Sequence, residues 1–258
     1  MVRRSVFFTL IFGFALSASA FAGKRVLVVG DSHSTGQFKD GLLKMLMPTT
    51  KTGLSTEMVG SCGSRARDWL SGKHATTCGY FEKDYGETKL RPNVTNHSTP
   101  TLESLVNAGN PDYVVIALGT NQLGDNSKES ERSVRNLIAK ATAKGAKCMW
   151  VGPPEVGPQA IGAKNLKAFY DMLDRVEHDT GCKKIDSRAP RTNNKYVDKK
   201  YHVHYENQKG IDWGTATGNE ILQKIQYWPK GNETAKGGSG GGTPYSPQNS
   251  STSQGSAI

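Results

Sequence analysis

Between Lys24 and Trp228, short apolar runs alternate with longer stretches whose apolar residues recur every three or four positions. Val26-Leu27-Val28-Val29 and Val114-Val115-Ile116-Ala117-Leu118 are unbroken runs, as expected of strands covered on both faces of a parallel sheet. Leu54 to Gly60, Lys147 to Val151 and Cys182 to Ile185 predict three more short strands. Phe38, Leu42, Leu43 and Leu46 lie near helical spacing and predict a helix from Gly36 to Met47, ended by Pro48. Ala66 to Leu70 reads as one helical turn and Thr101 to Ala108 as a short helix. Val134, Leu137, Ile138 and Ala141 form the stripe of a further helix, which the pair Asn126 and Glu129 opens as a capping box. Leu166, Phe169, Tyr170, Leu173 and Val176 share one face of a helix from Ala163 to His178. The final helix is expected from about Thr215 to Tyr227. Gly72 to Pro100 has little periodicity and reads as an ordered excursion bordering a cleft. This alternation predicts a doubly wound α/β domain, a three-layer α/β/α sandwich around a mainly parallel sheet.

The two ends read differently. Arg3 and Arg4 precede the apolar run Val6 to Leu16, and small residues follow to Ala20-Phe21-Ala22. A positive start, a short hydrophobic middle and an A-x-A end make residues 1–22 a signal peptide, the run being short for a membrane span. Residues 230–258 are Gly, Ser, Thr, Asn and Gln with almost nothing to bury, which predicts a disordered tail. Residues 23–229 are left as a single folded domain.

Charge and cysteines narrow the setting. The chain has 33 Lys and Arg against 23 Asp and Glu, a net charge of +10, or +8 without Arg3 and Arg4. Such a surface suits an anionic envelope, but the basic residues are scattered rather than striped, so no nucleic-acid partner is expected. Four cysteines allow three pairings, and an exported protein favours disulfides. Cys62 and Cys78 flank one loop-rich segment and are expected to bridge. Cys148 and Cys182 open successive predicted strands, where neighbouring strands could join them. No C-x-x-C pair points to zinc. Trp69, Trp150, Trp213 and Trp228 are compatible with either core or sugar-stacking positions.

The chemistry-bearing residues gather at strand ends. A serine follows Gly30-Asp31 where the first strand hands over to a helix, and α/β sheets place chemistry at the carboxyl ends of their strands. Ser32 can act as a nucleophile if a base and an oxyanion site reach it. Gly63 and Asn121 occupy turns after the next two strands of this kind, and His204 precedes the last helix. Alone, each of these is an ordinary turn or cap residue.

Gly30-Asp31-Ser32-His33-Ser34, the glycine of Cys62-Gly63-Ser64, Gly119-Thr120-Asn121 and Val203-His204-Tyr205 resemble, in order and spacing, the four sequence blocks of the SGNH (GDSL-type) hydrolases. Gly152-Pro153-Pro154 is also similar to a strand-end segment of that family. The resemblance implies the flavodoxin-like SGNH hydrolase fold. It also implies Ser32 as nucleophile, His204 as base, and an oxyanion hole from the backbone N–H groups of Ser32 and Gly63 with the Asn121 amide. The family's last block has an acid three residues before the histidine, and here that position is Tyr201. Asp198, three residues further back, is the first choice of acid, provided the loop bulges. Asp186 and a Ser-His dyad oriented by a backbone carbonyl stay open. His202 is the alternative base, because an extended segment would put His202 and His204 on one face. The same H-x-H pattern could bind a metal, but no third ligand is evident, and neither metal nor cofactor is expected.

The resemblance implies a serine esterase, and the signal peptide makes it exported, periplasmic or secreted. Export, basic charge and the polar tail suggest acylated polysaccharide or a small ester as substrate, with O-acetyl groups as first choice and a monomer as the expected state. Lysophospholipid or short-chain lipid esters are the second choice. A carbohydrate-binding domain that kept the fold without catalysis is the competing expectation.

Overall fold

Six strands, among the described residues, make one sheet in the order β3-β2-β1-β4-β5-β6. They are β1 (Arg25–Gly30), β2 (Ser55–Ser61), β3 (Tyr80–Lys83), β4 (Tyr113–Ala117), β5 (Lys147–Val151) and β6 (Lys183–Ile185). The computed structural model describes residues 23–47, 53–76, 78–85, 94–125, 128–188 and 198–228. The expected signal peptide, the polar tail, Pro48 and the capping residue Asn126 lie outside them. All strand pairings are parallel except that of β3 with β2. Leaving out that edge strand, the order is that of a flavodoxin-like sheet, whose switch point falls between β1 and β4.

The helices are α1 (Gln37–Leu46), α2 (Ala66–Ser71), α3 (Leu102–Gly109), α4 (Lys128–Thr142), α5 (Leu166–Thr180) and α6 (Asn207–Gln226). Successive side chains of a strand point to opposite faces, so β1 feeds two cores. Leu27 and Val29 join Val114, Ile116, Trp150 and residues of α2 to α5 in one cluster. Val26 and Val28 point the other way, toward the layer formed by α1 and α6, which pack on each other. The fold is the three-layer α/β/α sandwich expected of the chain.

Two differences from the sequence reading have physical causes. β3 lies within the stretch read as irregular: Tyr80-Phe81-Glu82-Lys83 is a four-residue edge strand, too short and too charged to show alternation. A bridge between Ala75 and Ser98 also ties that segment together. The last helix starts at Asn207, not Thr215, because Gly210 and Gly214 read as loop residues but serve close packing. A Cβ on Gly214 would come within 2.0 Å of the Phe38 carbonyl oxygen, and one on Gly41 within 2.0 Å of that of Ile211. The glycines let the two helix backbones touch. Trp69, Trp150 and Trp213 are buried, which settles them as core residues.

The cysteines bridge as Cys62–Cys78 and Cys148–Cys182, with Cα–Cα distances of 5.5 and 4.6 Å.

Candidate active site

Strand register brings the functional turns to one level. Gly30 pairs with Gly60 on β2 and with Ala117 on β4, so the chain leaves three adjacent strands at the same edge. Ser32 opens a 3₁₀ turn, Ser32–Thr35, laid over those strand ends. A Cβ on Gly60 would sit 2.6 Å from the Ser34 carbonyl oxygen, so only glycine admits the turn there. Asp31 caps the turn by accepting the His33 N–H at 3.1 Å. The Asn121 amide ties the three turns together, donating to the Ser64 carbonyl at 3.2 Å and, at 3.5 Å, to the Asp31 carboxyl. Gly63 has φ +83°, a left-handed conformation that favours glycine. Burial pushes the Asp31 carboxyl up to about 7, although N–H groups of the turn oppose the shift.

The other half of the site comes from the segment before α6. His204 Nε2 lies 2.8 Å from Ser32 Oγ. Its Nδ1 lies 3.3 Å from Oδ2 of Asp198. That spacing suits the tautomer in which Nδ1–H faces the carboxylate, which leaves Nε2 to accept a hydrogen bond from the Ser32 hydroxyl. Asp198 also organises the loop. Its Oδ2 accepts the backbone N–H of Val203 at 3.2 Å and of His204 at 2.8 Å. Its Oδ1 accepts the N–H of Lys200 at 2.9 Å and that of Tyr201. Burial pushes this carboxyl's pKa up, but those N–H groups and the positive character of His204 outweigh it and hold the group well below the usual carboxylate range. Asp198 is therefore a fixed anion beside the imidazole.

The structure places the remaining sequence candidates elsewhere. His202 has φ +58°, and its N–H and C=O bond to the Asp198 carbonyl and the Gly157 N–H. The segment is a turn, not a strand, so the two histidines do not share a face. The same bulge lets Asp198 reach His204 across six residues. Asp186 pairs with the Arg188 guanidinium at 2.6 Å.

His33 is a neighbour that sequence reasoning quoted but gave no role. It is buried, with Nε2 3.1 Å from Thr120 Oγ1 and its ring centroid 5.2 Å from that of His204 and 4.8 Å from that of Trp213. Burial, then the charge of His204, pushes its pKa well below the ordinary value, against the pull of Asp198, so it stays neutral. No sequence signal separates such a packing histidine from a reacting one. A cavity of about 640 Å³ opens beside Ser32 and His204, bordered by Gln37, Lys200, Tyr201 and Glu206. Tyr201, at the position where the resemblance leads one to expect an acid, is 55% exposed and sets its ring at 89° to that of His204.

No family model matches the chain. It is 35% identical over 138 residues to Protein BcsX of Komagataeibacter xylinus, a match covering 51% of each. The chain thus aligns with about half the length of that relative. Among solved structures it resembles the acetylxylan esterase Axe2 of Geobacillus stearothermophilus, with a TM-score of 0.54 and 16% identity over 81% of this chain and 96% of that one. It also resembles the carbohydrate acetylesterase Est24 of Sinorhizobium meliloti, with a TM-score of 0.54 and 15% identity over 78% and 99%. The structural neighbours include catalytic mutants of Axe2 that replace an aspartate, a histidine or a serine. At such identities the likeness concerns the fold.

Proposed function

We propose that the chain is an SGNH-type serine ester hydrolase that removes O-acetyl groups from polysaccharide through an acyl-enzyme on Ser32. The observation that carries this reading is the series Asp198–His204–Ser32, in which Nδ1 of His204 lies 3.3 Å from the Asp198 carboxylate and Nε2 lies within hydrogen-bond reach of Ser32 Oγ at 2.8 Å. His204 Nε2 takes the Ser32 proton as Oγ attacks the ester carbonyl, and returns it to the leaving alcohol. Water then enters by the same route, and its attack releases acetate. Asp198 holds the imidazole in the accepting tautomer and stabilises the cation that forms. Negative charge on the carbonyl oxygen meets the N–H groups of Ser32 and Gly63 and the Asn121 amide, whose NH₂ exchanges its long 3.5 Å contact with Asp31 for the substrate oxygen. Losing one such donor typically costs about 10²–10³ in rate.

The choice of an acetylated carbohydrate rests on the acetylesterase neighbours and on the cavity of about 640 Å³ beside Ser32, whose lining includes Gln37, Lys200 and Glu206. Under this reading residues 23–229 are the hydrolase domain, residues 1–22 direct export, and residues 230–258 are a polar tail. Two disulfides fit an oxidising compartment. The test is burst release of p-nitrophenol from p-nitrophenyl acetate by wild type and Ser32→Ala. A burst lost in the variant supports the proposal. Equal rates in the two proteins overturn it and leave the non-catalytic, carbohydrate-binding reading.

A further inference from the structure

The oxyanion donor assigned to Gly63 depends on the direction of one peptide plane. In a trans peptide the carbonyl oxygen and the following N–H point opposite ways, so fixing the Cys62 carbonyl fixes the Gly63 N–H. That carbonyl is held from behind. His74 Nε2 lies 3.0 Å from Cys62 O and donates to it. Thr76 Oγ1 lies 3.2 Å from the same oxygen and 2.7 Å from Gly79 O, so its one proton favours Gly79. His74 is thus the main donor to the carbonyl.

His74 is itself anchored. Its carbonyl accepts the Thr99 N–H at 2.7 Å, and the bridge between Ala75 and Ser98 flanks it. Cys62 is tethered on its other sides by the bond to Cys78 and by its N–H, which donates to Gly79 O at 2.9 Å. Among the described residues the Gly63 N–H meets no backbone acceptor, which leaves it available to a substrate oxygen. Donation to a peptide oxygen also polarises that peptide and strengthens its N–H as a donor.

We propose that His74 is a positioning residue that aims and polarises the Gly63 N–H by donating from Nε2 to the Cys62 carbonyl. The inference rests on the acyl-enzyme reading above, because it presumes that Gly63 faces the developing oxyanion. It assigns no contact between His74 and substrate.

The test compares His74→Leu, which lacks a donor, with His74→Gln, which offers an N–H of similar reach, using the full chain and p-nitrophenyl acetate. A misaimed donor loses part of its worth, so His74→Leu should lower kcat by at least about tenfold, toward the 10²–10³ of a deleted donor. KM should stay within about twofold, and His74→Gln should recover most of the loss, since an oxyanion donor acts in the transition state. Should His74→Leu not fold, His74→Phe keeps a planar ring without the donor and gives the same comparison. Wild-type kcat in the donorless variant overturns the inference, as does a loss that glutamine does not recover or that raises KM equally. If Ser32→Ala is inactive in the same experiment, only the clamp has failed. If Ser32→Ala is fully active, the acyl-enzyme reading has failed with it.

Discussion

Asp198→Asn tests two roles at once, because one carboxylate both orients the imidazole and closes the loop before α6. The carboxylate accepts four backbone N–H bonds, two on each oxygen. Asparagine offers one carbonyl oxygen and one NH₂, so either rotamer confronts two backbone donors with a third donor. Each unsatisfied donor costs about 1–3 kcal/mol when buried. The loop lies at the rim, where water partly compensates, so the total should be about 2 kcal/mol. That corresponds to a fall in Tm of about 4–8 °C for a domain of this size. If the NH₂ end faces Nδ1 of His204, the imidazole must carry its proton on Nε2 and cannot accept from Ser32; in serine triads this exchange lowers kcat by about 10⁴. Thermal unfolding and steady-state hydrolysis of p-nitrophenyl acetate on the same preparations read both effects. The pH dependence has a definite sign. The folded pKa of Asp198 is depressed, so its stabilisation is present above the unfolded value near 4 and is lost as pH falls toward the folded one. The gap in Tm between wild type and variant should therefore close on acidification. Wild-type Tm and kcat in the variant would refute the reasoning.

Three further outcomes follow from the same geometry. His204→Ala should lose most esterase activity while His202→Ala keeps a substantial part, and the reverse ranking in steady-state assays would move the base to His202. Gly214→Ala drives a Cβ to 2.0 Å from a backbone oxygen of α1, so it should cost about 2–3 kcal/mol in denaturant unfolding, and an unchanged midpoint would contradict the close helix crossing. Replacing Cys148 and Cys182 together by serine should lower stability by about 2–4 kcal/mol with little effect on kcat, since the bond lies away from the Ser32–His204 pair, and a collapse of kcat in folded protein would show otherwise.

The sheet was readable because its strands are buried on both faces, so Val26 to Val29 and Val114 to Leu118 announce themselves as unbroken apolar runs. β3 was hidden because an edge strand of Tyr80-Phe81-Glu82-Lys83 needs neither length nor alternation. The first two turns of α6 were hidden because Gly210 and Gly214 weaken local helix propensity, and the reason for them, a backbone approach to α1, exists only in three dimensions. Ser32, Gly63, Asn121 and His204 carry the resemblance to a known pattern. The reach of Asp198 to His204 does not, because it depends on a left-handed turn at His202 that no residue type there advertises. His33 and His74 could not be ranked from the chain, since their meaning lies in which ring or carbonyl they face.

The central claim is that a single hydroxyl, that of Ser32, carries the acyl group. Acid quenching during the burst with p-nitrophenyl acetate, followed by peptide mass spectrometry, reads this directly. The account predicts an acetyl group on Ser32 in wild type, no acetylated peptide in Ser32→Ala, and loss of turnover in that variant. Sustained turnover in Ser32→Ala, or a transient acetyl group on another residue of the wild type with Ser32 unmodified, would contradict it.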